Sequence, residues 1–469
     1  MTHIIRQHYL HVDLNGTEAD GLTLQNRLAD LCHQRLIPAI ERALNRCAPS
    51  DGHLIIERLD IDAGTLTLQQ VEHDMAALVE QALEESLRAQ SPPTEAAPTK
   101  ILVNGTRKTV QQSVHEAFVY FLKTGSLPWS FRLTAGKTLE QTLLDSWATE
   151  PNSANQSTEN YGLRAVLTSA TARQRLTRQF SPHLLRRLLS RISPVGKTEI
   201  DPILTFLNDS RADPDTVFRF GRLLWGTAFA HAAAGAEPTE KQLVEATWQA
   251  MSVPTSSGTL ANELHRHWPG VLKSGVHQAE KAPEPATDTQ QSGNETESGG
   301  QLDTEDGLYI DNAGLVLLHP FLPRFFEGLG IADEHQLSQV NRALCLLHFL
   351  ATGQPTAPEH ELLLPKLLCN ISLETPADAD VALTGAEVDE AIALLNAVIG
   401  HWEALRGTSP DALRGTFLVR PGKLSLRSDG DWLLQIEPGA YDILLDQLPW
   451  GISMIKLPWM ERLLRVEWR

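Results

Sequence analysis

The sequence predicts an α+β fold that is predominantly α-helical. Three observations carry this. Apolar residues through the middle of the chain recur near the 3.6-residue helical period. Two runs near the C-terminus, 416–426 and 432–436, are rich in strand formers and flank a Ser428-Asp429-Gly430 turn. The first ninety residues alternate between strand-like and helix-like patterns. The layout that follows is a small N-terminal β-α-β-α module (1–90), a helical middle (100–275), an acidic linker (276–306) and a C-terminal α+β domain (307–469).

The elements follow in order. In 3–14, His8, Leu10, Val12 and Leu14 share one face of an alternating strand, and Asn15-Gly16 gives a turn. Between Ala19 and Cys47, Leu24, Leu28, Leu31 and Leu36 are spaced as on a helix, which Pro38 kinks or restarts because it lacks an N–H. HLIIERLDID (53–62) reads as a second strand and 68–89 as a second helix. SPPTEAAPT (91–99) has linker composition, and 100–110 reads as a hairpin around Asn104-Gly105. The helix ending at Lys123-Thr124 has Gly125 as its C-cap, with Pro128 beyond. Further helical runs cover 138–148, 160–192, 214–234, 239–251 and 259–273. The run 276–306 is acidic and nearly free of aliphatics, as a disordered tether is. In the last segment, LYI (308–310) and 313–330 read as strand-like, and helices follow at 338–351, 386–403 and 410–415.

Length and charge narrow the function. A chain of 469 residues exceeds a single core of ordinary size. Acidic residues outnumber basic ones 58 to 40, for a formal charge of −18, which argues against broad nucleic-acid binding. Four cysteines without CxxC spacing exclude a disulfide scaffold and point to a reducing compartment. The N-terminus lacks a signal-type apolar core, and no run reaches the ~18 apolar residues of a membrane span. The expectation is a cytoplasmic protein.

No motif in the sequence marks catalytic, cofactor-binding or metal-ligating residues. Gly136-Lys137-Thr138 and Gly196-Lys197-Thr198 resemble the end of a phosphate loop. The glycine that lets the backbone wrap the anion is replaced by Phe131 and Arg191. Glu359-His360-Glu361 lacks the second histidine of a zinc-binding helix, and His3, His8 and His11 split between strand faces. Cys32 and Cys369 sit in apolar contexts as core filler.

The tail leaves two readings open. Trp450, Trp459 and Trp468 are large apolar anchors for a core. Beside Arg462, Arg465 and Arg469 they also form the Trp/Arg composition of a partner-docking surface.

Several blocks resemble one known family. HIIRQHYLHVDLNG (3–16), LQNRLADLCHQRLIPAIERAL (24–44) and LIIERLDIDAGTL (54–66) carry the likeness at the N-terminus. NAGLVLLHPFLPRFFEGLG (312–330), PEHELLLPKLLCN (358–370), HWEALRGTSPDALRGTFLVRPGKL (401–424) and YDILLDQLPWGISMIKLPWMERLLRVEW (441–468) carry it at the C-terminus. These are similar to the tape-measure proteins of contractile injection systems, the phage-tail-like particles made by bacteria. The resemblance implies a non-enzymatic assembly role. The protein would set inner-tube length among tube and baseplate proteins, with an AAA+ ATPase a further candidate partner, in the bacterial cytoplasm and within the particle. It carries no catalytic residues and no cofactor. The alternative is a soluble assembly chaperone or adaptor for tube, baseplate or ATPase components that leaves before the particle is complete. If helical throughout, 91–306 would reach about 320 Å, but proline and glycine interrupt it and no heptad persists.

Overall fold

The structure, a computed structural model, describes residues 53–90, 105–148, 156–251, 258–271 and 307–468, apart from 57, 63, 135, 334 and 379–380. Before these it describes 3, 5, 8–15, 17, 21, 24, 27, 28 and 30–48. The two expected linkers, 91–99 and 276–306, lie outside the described residues. The chain divides into two compact units, 1–116 with 129–134, and 117–128 with 135–469.

In the first unit a π-turn at Cys32–Leu36 runs into helix α1 (Ile37–Cys47). Pro38 restarts the helix in its first turn, where a missing N–H costs nothing. Strand β1 (His53–Ile56), helix α2 (Leu68–His73), helix α3 (Met75–Gln90) and strand β2 (Gly105–Lys108) follow. A capping box between Thr67 and Gln70 starts α2. Leu36, Ile40, Ala43, Leu83 and Leu87 form the core, with Leu54 and Ile56 of β1 packed against it.

The strands differ from those of the expected module. Residues 8–15 form no strand, and β1 pairs antiparallel with β2 in the register Ile55↔Thr106. Alternation shows which side chains could share a face, but it does not say where a partner strand lies. The other half of the hairpin expected over 100–110 is outside the described residues.

Helix α4 (Val110–Thr124) ends as expected at Gly125, whose φ of 80° is left-handed. The second unit continues through α5 (Leu139–Ala148), α6 (Gln156–Leu167), α7 (Ala170–Gln179), α8 (Pro182–Ile192), α9 (Pro194–Asn208), α10 (Pro214–Ala233), α11 (Glu240–Ala250) and α12 (Gly258–His267). The expected helical run 160–192 is three helices, because the side chains of Ser169 and Ser181 each cap a new first turn. Helix α9 fills the stretch between the expected runs 160–192 and 214–234: Pro194 sits in its first turn, and Pro202 is tolerated inside it.

The C-terminal part holds β3 (Leu308–Ile310), a 3₁₀ turn (Ala313–Leu318), α13 (Leu322–Gly328), α14 (Val340–Thr352), α15 (Leu363–Leu368), α16 (Gly385–His401) and α17 (Pro410–Leu413). The 313–330 run, read as strand-like, is thus a 3₁₀ turn and a helix. A π-turn (Arg414–Leu418) leads to β4 (Gly422–Leu426), β5 (Trp432–Ile436), β6 (Met454–Ile455) and β7 (Leu464–Trp468). The sheet order is β3-β4-β5-β7-β6, antiparallel except where β7 lies parallel to β5. Leu308, Ile310, Leu424, Leu434, Leu464 and Val466 put one face into the core, while Gln435 and Glu467 meet solvent on the other. The expected α+β, mainly helical class is what forms.

One cap in this part titrates. Glu387, 7 % exposed, closes a capping box with Thr384 at the start of α16 and accepts from the Arg342 guanidinium at 2.8 Å. The Arg342 hydrogen bond, opposed by burial and aided by Thr384, holds the Glu387 carboxyl down to about 2, against an ordinary value of 4.5. A depressed folded pKa contributes stability in full above the unfolded pKa and loses it as pH falls through the folded one. Glu387→Gln should therefore flatten the fall in thermal midpoint between about pH 4.5 and 2 while leaving its course above pH 6 parallel to wild type. An undiminished acid slope in the variant would remove Glu387 as its source.

Candidate functional site

The residues singled out at the tail divide by burial. Trp459 is 7 % exposed, donates its indole N–H to the Leu368 carbonyl at 2.7 Å and leans on Phe326. Trp468 is 8 % exposed and donates to Asp442 Oδ2 at 3.1 Å, with the Arg420 guanidinium over its ring. Trp450 is half-buried; its N–H reaches the Leu317 carbonyl at 3.1 Å and its ring meets Phe321 edge-on. All three indoles therefore anchor the C-terminal core, each with its one donor satisfied. Arg465 pairs with Asp431 at 3.2 Å, Arg462 is exposed, and Arg469 lies outside the described residues. Trp468→Phe removes one donor but leaves Asp442 bonded to Arg420 and to the Gly439 amide. It should cost about 1–2 kcal/mol in urea unfolding. A loss below about 0.3 kcal/mol would mean that this bond does not secure β7.

The feature that sequence reading missed is a buried ion cluster at 359–366. Arg175 on α7, Glu359, and Lys366 on α15 have side chains with 0 % exposure. Glu359 Oε1 accepts from Arg175 Nε at 3.0 Å and from Lys366 Nζ at 2.7 Å. The Arg175 fork also reaches the carbonyls of Leu122 and Glu374, both at 2.6 Å, and Lys366 reaches that of Leu373 at 2.9 Å. The Glu359 amide donates to Gln179 Oε1 at 2.9 Å. Two cations share one carboxylate, and Glu359 Oε2 has no hydrogen-bond partner among the described residues. Burial pulls the Lys366 pKa down, and Glu359 opposes the fall.

Gly125 makes room for the cluster: a Cβ there would stand 2.5 Å from Glu359 Oε1 and 3.0 Å from Arg175 Nε. Around it, Gln179 and Arg178 donate to the carbonyls of Ala377 and Pro376, and Arg222 of α10 pairs with Asp378 at 2.8 Å. The middle helices and the C-terminal part are thus fastened along 359–378.

Beside the cluster, His348 Nε2 and Glu361 Oε2 lie 2.8 Å apart, and His360 Nε2 is 3.7 Å from Glu361 Oε1. Burial pushes the His360 pKa down despite Glu361 and Asp311. Burial alone would raise Glu361, but the His348 hydrogen bond and the imidazole charges bring it below its ordinary value. Among the described residues, no group of three or more His, Cys, Asp or Glu is placed to hold a metal ion.

The GKT triplets are helix starts. Thr138 exchanges capping bonds with Gln141, and Gly196 N donates to Ser193 Oγ inside the first turn of α9. A shallow cleft of about 460 Å³ is lined by Phe206, Asp209, Arg211, Glu263 and His267, and its Glu263 already accepts the Ser210 hydroxyl at 2.6 Å. Burial drives the Cys369 thiol pKa upward, as for core filler. Among the described residues, no helix is long and apolar enough to cross a membrane.

What the geometry offers is therefore holding: a tail sealed by tryptophans and a buried ion cluster that fastens helices. Comparison with known proteins adds the identity. No curated protein and no solved structure matches the chain. The family model for contractile injection system tape measure proteins matches residues 2–468, nearly the whole sequence, and the chain belongs to that family.

Proposed function

We propose that the protein sets the length of the inner tube during assembly of a contractile injection particle and docks tube or baseplate components while doing so. The observation that carries this reading is the family match over 2–468. Among the described tail residues, Arg462 is exposed and Arg465 and Trp450 each keep a solvent-facing part, which leaves these side chains available to such a dock. The longest helix described, α10 with 20 residues, spans about 30 Å. Length control by this fold therefore works through packed helices and their partners, not through one continuous rod. Particles assembled without the chain should show a broad distribution of tube lengths by electron microscopy. An unchanged, narrow distribution refutes the reading.

One observation favours a second reading, an assembly chaperone or adaptor. The Arg175–Glu359–Lys366 cluster keeps the middle helices fastened to the C-terminal part, as suits a delivering protein that never extends. Mass spectrometry of purified, extended particles separates the two: retention supports the length-setting role, and complete absence supports the chaperone.

A further inference from the structure

We propose that the outward face of α8, centred on Arg187, is a docking surface for a carboxylate-rich segment of a partner protein. This deepens the assembly role above and rests on it. The chain carries −18 formal charges, yet between 160 and 198 it has eight Arg and Lys and no Asp or Glu. Helix α8 shows how that excess is mounted. Leu184, Leu185, Leu188, Leu189 and Ile192 bury one side of it, which fixes the helix and turns His183, Arg186, Arg187 and Arg191 outward.

His183, Arg187 and Arg191 follow at i, i+4 and i+8, so they form one ridge. Arg186 is held by Asp201 at 3.1 Å, and Arg191 lies 5.2 Å over the Trp147 ring. Arg187 is exposed and has no acidic partner among the described residues. Tyr161, 77 % exposed, precedes by one turn Arg164, whose guanidinium bonds the Ile192 carbonyl at the end of α8. Arginine forks beside exposed aromatic rings are the composition of protein interfaces, and the fork matches a carboxylate in a two-point contact. A phosphate backbone fits less well. One unpaired and two engaged arginines release few counterions, and the −18 charge opposes a long polyanion.

The test is fluorescence anisotropy of the full chain with a short labelled Glu/Asp-rich peptide, with a DNA duplex of matched charge as comparator. Wild type should bind the peptide more tightly than the duplex. R187E should weaken the peptide by about tenfold, and R187E/R191E further, while R219E, on exposed α10 surface, changes it less than twofold. Circular dichroism confirms that each variant is folded. No measurable peptide binding at low salt, equal losses in R187E and R219E, or tighter duplex binding would each overturn the proposal. So would a tenfold gain on deleting 276–306, since the chain's own acidic run would then be the occupant. Particle retention and tube length are scored separately, so loss of this surface does not decide the assembly role.

Discussion

Glu359→Gln should lower the unfolding free energy by about 3–5 kcal/mol, the usual cost of removing one partner from a buried ion pair. The substitution keeps size and shape but leaves Arg175 and Lys366 buried together with no anion. The physical content lies in a ranking. Lys366→Met also breaks the cluster, yet it leaves a one-to-one Arg175–Glu359 pair, so its cost should be smaller. Denaturant unfolding of the three proteins measures both differences. A Lys366→Met loss equal to or larger than that of Glu359→Gln would mean that uncompensated charge is not what the cluster resists. Because Arg175 also bonds the carbonyls of Leu122 and Glu374, Glu359→Gln should loosen α7 from 359–378 first. Amide exchange along α7 should then rise ahead of global unfolding.

Gly314→Ala should be at least as damaging. Gly314 is buried in the 3₁₀ turn after β3, and a Cβ on it would fall 1.6 Å from the Phe417 carbonyl oxygen, against an ordinary contact of roughly 3.5 Å. The obstacle is backbone, so no side-chain rotation relieves it. The turn and the π-turn at Arg414–Leu418 must separate, which should cost at or beyond the ~3 kcal/mol upper end of overpacking. Gly400→Ala in α16, where nothing lies within 4 Å of the added methyl, is the matched control. It should stabilise by up to about 1 kcal/mol, because it removes glycine from a helix. If both variants unfold at the wild-type midpoint, the close approach at Gly314 is not a constraint.

Sequence pattern reached some of this and missed the rest for identifiable reasons. Strands β3 and β5 and helices α10 and α11 lie close to where periodicity put them, since each is local and bounded by capping or turn residues. The strand read over 416–426 forms only from Gly422, because Arg414–Leu418 continues the helix as a π-turn. The parallel pairing of β7 with β5 was not legible. It joins residues thirty-two positions apart, Trp432 with Leu464, and no local pattern encodes their order in the sheet.

The candidate site was partly visible. Lys366 inside LLLPKLLCN, seven residues after Glu359, is a charge in an otherwise aliphatic run, and such a charge implies a buried counter-ion. Its other partner, Arg175, lies 184 residues before Glu359, a distance only the fold could close. For the tail, composition left core and interface both open. The indole bonds to Leu317, Leu368 and Asp442 go with Trp459 and Trp468 buried in the core and the half-buried Trp450 packed against it.

Tube-length control by this chain is the central proposal. The most direct test is a graded series: particles assembled with α12 deleted, with the wild-type chain, and with 258–271 duplicated, their tubes measured by electron microscopy. Length control predicts mean tube lengths that rise in that order, with narrow distributions at each step. Three coincident distributions, with the chain variants incorporated normally, would contradict it.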